Sequence, residues 1–133
     1  MNTSLFKRTA IGAAMAAGKL IRSSVGRVKE ISFKGRINIV TDVDKKSEAL
    51  IIKKITSVFP DHSILSEERS PMDTGSPYKW VIDPIDGTTN FAHAFPFFAV
   101  SIALEADGEI LLGAVYEPMR DELFYAEKGK APS

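Results

Sequence analysis

From Phe6 to Leu20 the apolar positions recur at helical spacing. Phe6, Ala10, Ala13, Ala17 and Leu20 fall on one side, while Arg8, Lys19 and Arg22 gather on the other. The pattern predicts an amphipathic helix. Residues 28–42, "VKEISFKGRINIVTD", carry β-branched positions around Lys34-Gly35 with no helical period, which predicts extended segments about a turn. A second helix is expected to start near Thr41. Its apolar stripe is Ile51, Ile52, Ile55, Val58 and Phe59, its solvent side Lys45, Lys46, Lys53 and Lys54, and Pro60 stands just past its end. "HSILSEE" and "YKWVID" read as short strands separated by the polar loop "RSPMDTGSP", and the core of the second is apolar enough to be interior. From Phe97 two β-rich runs meet at Asp107-Gly108, a strong hairpin signal, and "ELFYAEKG" supplies a third strand. Two helices followed by a meander predict an α+β fold, with layered helices packed on a mostly antiparallel sheet.

Composition narrows the function classes. The 133 residues are 44% hydrophobic and 26% charged, which fits one compact domain over residues 1–133. Seventeen basic residues balance seventeen acidic ones, so no global field favours nucleic acid or an anionic membrane. There is no cysteine and there are only two histidines, His62 and His93, which removes disulfides, thiolate metal sites and histidine-rich zinc sites, and is compatible with the cytoplasm. Lys7 and Arg8 precede "TAIGAAMAAG", a run with some likeness to a signal peptide. The segregation of charge and the alanine-rich content favour a helix of a folded domain instead. No stretch is long and apolar enough to span a bilayer.

The chemistry concentrates in "WVIDPIDGTTNF", residues 80–91. If Trp80 to Ile82 form an interior strand, Asp83 stands at its end, and Pro84, which has no N–H, is expected to stop the ladder there. Asp86 follows across a turn, with the Ile85 carbonyl between the two carboxylates. Oxygen donors of this kind suit Mg²⁺, and "GTTN" looks like a turn into a helix whose N–H groups face an anion. The plainer reading is that Asp-Pro and Asp-Gly are turn formers and that Asp86 caps a helix. Spacing alone leaves these even. Asp44, three residues after Thr41, has the form of a capping box, and Glu67 and Glu68 have the form of a solvated pair. His93 is expected to be a partly exposed loop residue, and Phe91, Phe95, Phe97 and Phe98 to be core aromatics.

Residues 83–91, "DPIDGTTNF", continuing through Pro96 to "SIAL" at 101–104, resemble the signature of the inositol monophosphatases. "NIVTDVDKKSE", "PDHSILSEE" and "GAVYEPMRDELFYAEKGK" agree in order, so the resemblance runs from the first helix to Lys130. It implies the N-terminal half of the inositol monophosphatase/fructose-1,6-bisphosphatase-like fold and a lithium-sensitive, Mg²⁺-dependent phosphomonoesterase that hydrolyses inositol monophosphate with a metal-activated water. It further implies Glu67, Asp83, Ile85 and Asp86 as metal ligands. Glu67, Ile85, Asp86, Gly87 and Thr88 would surround the substrate phosphate, and Asp44, Glu67 and Thr88 would form the catalytic set. A homodimer is the implied assembly. The family's second half carries a further metal aspartate and groups that grip the inositol ring, and without them the 133 residues are expected to be weakly active or inactive. Two alternatives remain open: a phosphatase for another sugar or nucleotide phosphate, and a noncatalytic remnant that binds metal or a partner.

Overall fold

The computed structural model describes residues 3–27, 31–34, 38–66 and 69–130, with the backbone alone at 32–34 and 38–40. Gly35 of the expected turn, and Glu67 and Glu68, lie outside the described residues. The elements run α1 (Thr3–Ser24), β1 (Ile31–Lys34), β2 (Asn38–Thr41), α2 (Asp42–Thr56), β3 (Ser63–Ser66), β4 (Tyr78–Asp86), α3 (Thr88–Ala92), β5 (Ala99–Ala106), β6 (Glu109–Glu117) and β7 (Glu122–Glu127). β1 and β2 form an antiparallel pair, and the other five strands form one sheet in the order β3-β4-β5-β6-β7. All neighbours in that sheet are antiparallel except β3 and β4. The fold is α+β, as the pattern of the chain predicts.

Helix α1 buries Phe6, Ala10, Ala13, Ala14, Ala17 and Ile21. Leu20, expected in that stripe, lies only half-buried, because at 100° per residue the adjacent Ile21 takes the inward direction. Small residues on this face let α1 lie close to α2, β5 and β6. α2 opens on a complete capping box at Thr41 and Asp44, and its Ile51, Ile52 and Ile55 enter the core. Val58 does not: it falls beyond the helix and is exposed.

The helices cover one sheet face. Ile64, Trp80, Leu104 and Leu112 form one buried row across it, and Ile82, Ile102, Ala114 and Tyr125 form the next. β5 and β6 are joined at Asp107-Gly108 by the expected two-residue turn, with φ of 51° and 84°, the pair of left-handed conformations that suits the twist of a hairpin.

His62 fixes one edge of this core. Its ring stacks on Phe59 at 4.5 Å and on Tyr78 at 4.9 Å, and its Nδ1 accepts from Trp80 Nε1 at 2.9 Å. That acceptor must be unprotonated. Burial pushes the imidazole below its ordinary value of 6.5, with Asp61 opposing by a smaller amount. A histidine whose folded pKa is depressed contributes stability that is present above the unfolded value and is lost as pH falls below it. Thermal melts should therefore show a fall in melting temperature beginning below about pH 6.5. His62→Gln, which keeps an acceptor for Trp80 without titrating, should flatten that slope; an equal slope in the variant would assign it to other groups.

Candidate active site

A bulge in β4 sets the geometry. Asp83 pairs with Ser101 and Asp86 with Ala99, so three steps along β4 match two along β5. Cross-strand partners share a face, and Ser101 and Ala99, two apart, also share one. Asp83 and Asp86 therefore project to the same face, which a spacing of three on a regular strand would forbid. Burial agrees: Pro84 and Ile85 are buried on the helix side, while Asp83 is half-buried and Asp86 exposed. The expectation that Pro84 ends the strand is thus corrected. The missing N–H is accommodated at the bulge, and the strand continues to Asp86. Asp83 also lines a groove of about 340 Å³ on the uncovered face, with Leu65, Val81, Ser101 and Ala103.

Past the bulge, Gly87 turns the chain with φ 93° and ψ 38° into the short α3. A side chain here would be strained, and a Cβ would fall 2.9 Å from the Phe97 carbonyl oxygen. Asn90 holds that oxygen through Nδ2 at 2.8 Å, so the turn and the loop behind it form one unit. Phe91 and Phe98 seal it with an edge-to-face contact at 5.3 Å. Phe95 and Phe97, expected in the core, are each 60% exposed. Their loop lies on the surface, and the Phe97 ring instead carries Arg120 over it at 5.5 Å.

Asp44 reaches this turn from α2. Its Oδ2 accepts from the Thr41 backbone N–H at 2.9 Å and the Thr41 hydroxyl at 2.5 Å, while Oδ1 accepts from the Thr88 hydroxyl at 2.8 Å. Thr88 Oγ1 also lies 3.0 Å from the Ile85 carbonyl. One hydroxyl has one proton, and the nearer, charged acceptor takes it. Asp44 is only 1% exposed, so the capping and the Thr88 contact coexist in a buried carboxylate.

The structure thus brings together Asp44, Ile85 and Thr88, sets Asp83 and Asp86 on one face beside them, and puts Gly87 at the turn. Glu67 lies outside the described residues. His93 is exposed, its Nδ1 2.8 Å from the Thr89 carbonyl. Among the described residues no cluster of three or more His, Asp or Glu side chains is assembled. The donors that are present, two carboxylates on one face and a carbonyl between them, are hard oxygens and fit a cation of the Mg²⁺ type. Sequence reading missed Ser47 and Glu48, which are buried and bonded to Pro84 and Ser66. Their spacing of three and four residues from Asp44, which puts all three on one helical face, was the available signal.

The model of the inositol monophosphatase family matches residues 2–131. The chain belongs to the inositol monophosphatase family. An inositol monophosphatase of Dictyostelium discoideum is 48% identical over 113 residues, covering 83% of this chain and 42% of its own length. A protein of Aquifex aeolicus named fructose-1,6-bisphosphatase/inositol-1-monophosphatase is 44% identical over 119 residues, or 88% of this chain and 45% of its own. The crystal structure of extragenic suppressor protein SuhB from Bartonella henselae shares the fold with a TM-score of 0.93 at 38% identity, over 97% of this chain and 51% of that one. The chain spans about half the length of the inositol monophosphatase relatives it matches.

Proposed function

We propose that residues 1–133 form one α+β domain carrying the N-terminal part of a Mg²⁺-dependent phosphomonoesterase site, with inositol monophosphate as substrate. The observation that carries the reading is the Asp44–Thr88 hydrogen bond at the end of a bulged strand that presents Asp83 and Asp86 on one face. Asp83 and the Ile85 carbonyl, with Glu67, would hold one ion, and Asp86 would hold a second. When bound, Mg²⁺ supplies positive charge to the phosphoryl oxygens and makes a neighbouring water more acidic.

The chain's own residues supply orientation and a proton acceptor. Gly87, the N-cap of α3, and Thr88, its first residue, would offer backbone N–H groups to the phosphate oxygens. The Thr88 hydroxyl donates to Asp44, leaving its lone pairs to receive a hydrogen of the attacking water. The proton then passes to the Asp44 carboxylate, whose other oxygen is held by Thr41, as the water oxygen bonds to phosphorus, the ester P–O bond breaks and the departing inositol oxygen takes a proton from solvent. Hydrolysis of a phosphate monoester asks chiefly for such positioning and for charge stabilisation. The same proposal extends to a cytoplasmic homodimer as the working form.

Phosphate release from inositol 1-phosphate should require Mg²⁺, stop on chelation and be suppressed by Li⁺; turnover indifferent to both ions would sink the metal reading. The name of the Aquifex aeolicus relative favours one further assay, with fructose 1,6-bisphosphate as substrate. Faster turnover there would move the proposal to a sugar bisphosphate.

A further inference from the structure

Three polar residues interrupt the inward face of α2: Asp44, Ser47 and Glu48, respectively 1%, 0% and 7% exposed. Each binds a different segment of the candidate site. Asp44 takes the Thr88 hydroxyl, Ser47 Oγ donates to the Pro84 carbonyl at 2.8 Å, and Glu48 Oε2 accepts from Ser66 Oγ at 2.6 Å. Ser66 is itself buried, and the chain continues from it directly into Glu67. Burying a carboxylate is unfavourable unless hydrogen bonds hold it, and a leucine at position 48 would extend the apolar stripe of α2 without that cost. The residue types at 47 and 48 are therefore poor choices for packing alone. They are good choices for holding two other segments at fixed distances from Asp44.

We propose that Ser47 and Glu48 are positioning residues of the site: through Pro84 and Ser66 they fix the metal-binding turn and the end of β3 relative to Asp44, so that one helix sets the spacing of these three segments. The inference rests on the function proposed above. Ser47 acts through the Pro84 carbonyl, one residue from both Asp83 and Ile85. Glu48 acts through Ser66, one residue from Glu67. Neither would touch the ion or the substrate.

The test uses the full 133-residue chain, with Mn²⁺ binding measured by calorimetry well below the melting temperature and hydrogen exchange followed by mass spectrometry without metal. Ser47→Ala and Ser66→Ala, which delete one bond each at little loss of volume, should weaken Mn²⁺ binding by roughly tenfold, within the range for groups that orient ligands. They should also speed exchange in residues 63–66 and 83–88 while leaving 109–127 unchanged. Glu48→Gln retains an acceptor and should recover most of the affinity that Glu48→Ala loses; if Glu48→Ala fails to fold, Ser66→Ala reports the same bond from its other end. A merely structural role predicts uniformly faster exchange and unchanged affinity in the folded protein, and that result would overturn the proposal. If the parent chain binds no Mn²⁺, the metal reading fails, and local against uniform exchange still decides whether Ser47 and Glu48 position the turn.

Discussion

Asp44→Asn is expected to lower phosphate release from inositol 1-phosphate by about 10²- to 10⁴-fold, the range over which a positioned proton acceptor acts, with little change in melting temperature. The asparagine is the same size, and its carbonyl oxygen can replace Oδ2 as acceptor for Thr41, so the start of α2 keeps its cap. The amide nitrogen then occupies the place of Oδ1. It donates where the carboxylate accepted, so Thr88 must turn its proton to the Ile85 carbonyl 3.0 Å away. The hydrogen bond survives with its direction reversed, and the site loses its proton acceptor without losing its shape. Steady-state kinetics beside thermal melts check this. Unimpaired turnover would leave Asp44 with its capping role alone, and a large fall in melting temperature with proportionate loss of activity would make the effect structural.

Gly87→Ala should both destabilise the protein and abolish turnover. A φ of 93° costs an L-residue about 1–2 kcal/mol. The added Cβ would also stand 2.9 Å from the Phe97 carbonyl oxygen, a backbone atom pinned by Asn90 and therefore unable to swing aside. Relief requires moving either the turn or the loop behind it, and both carry Thr88 with them. At this chain length the backbone term alone corresponds to a melting temperature lower by roughly 4–8 °C. An unchanged melting curve would contradict the geometry assigned to the turn.

Much of the fold was legible because it is written in local periods. The stripes of α1 and α2, the cap at Thr41 and the Asp107-Gly108 turn each depend on residues within a few positions of one another. The parallel pairing of β3 with β4 is not local, and nothing in "HSILSEE" or "YKWVID" states it. The exposed Phe95 and Phe97 were misread because an aromatic ring records apolar area and not the direction its loop faces. For the site, the residue types in "DPIDGTT" pointed to the oxygen donors, and the resemblance to the inositol monophosphatases pointed to the pairing of Asp44 with Thr88. The arrangement of Asp83 and Asp86 was hidden, since a proline in a strand signals an end or a bulge equally well and only the register on β5 distinguishes them.

The bulge has a chemical consequence beyond direction. An Asp-x-Asp sequence on a regular strand would also put two carboxylates on one face, and with one residue fewer. It would leave every carbonyl between them opposite its own ladder partner. In β4 the extra residue sets Pro84 and Ile85 together against Val100, and both of their carbonyls face side-chain hydroxyls: Ser47 donates to that of Pro84, and the Thr88 oxygen lies 3.0 Å from that of Ile85 with its proton turned to Asp44. Proline at the first of these positions brings no N–H that would need a partner of its own. The added residue thus turns a stretch of sheet from a paired ladder into a cluster of oxygen acceptors. Shortening "DPID" to "DPD" would keep both carboxylates and lose the cluster.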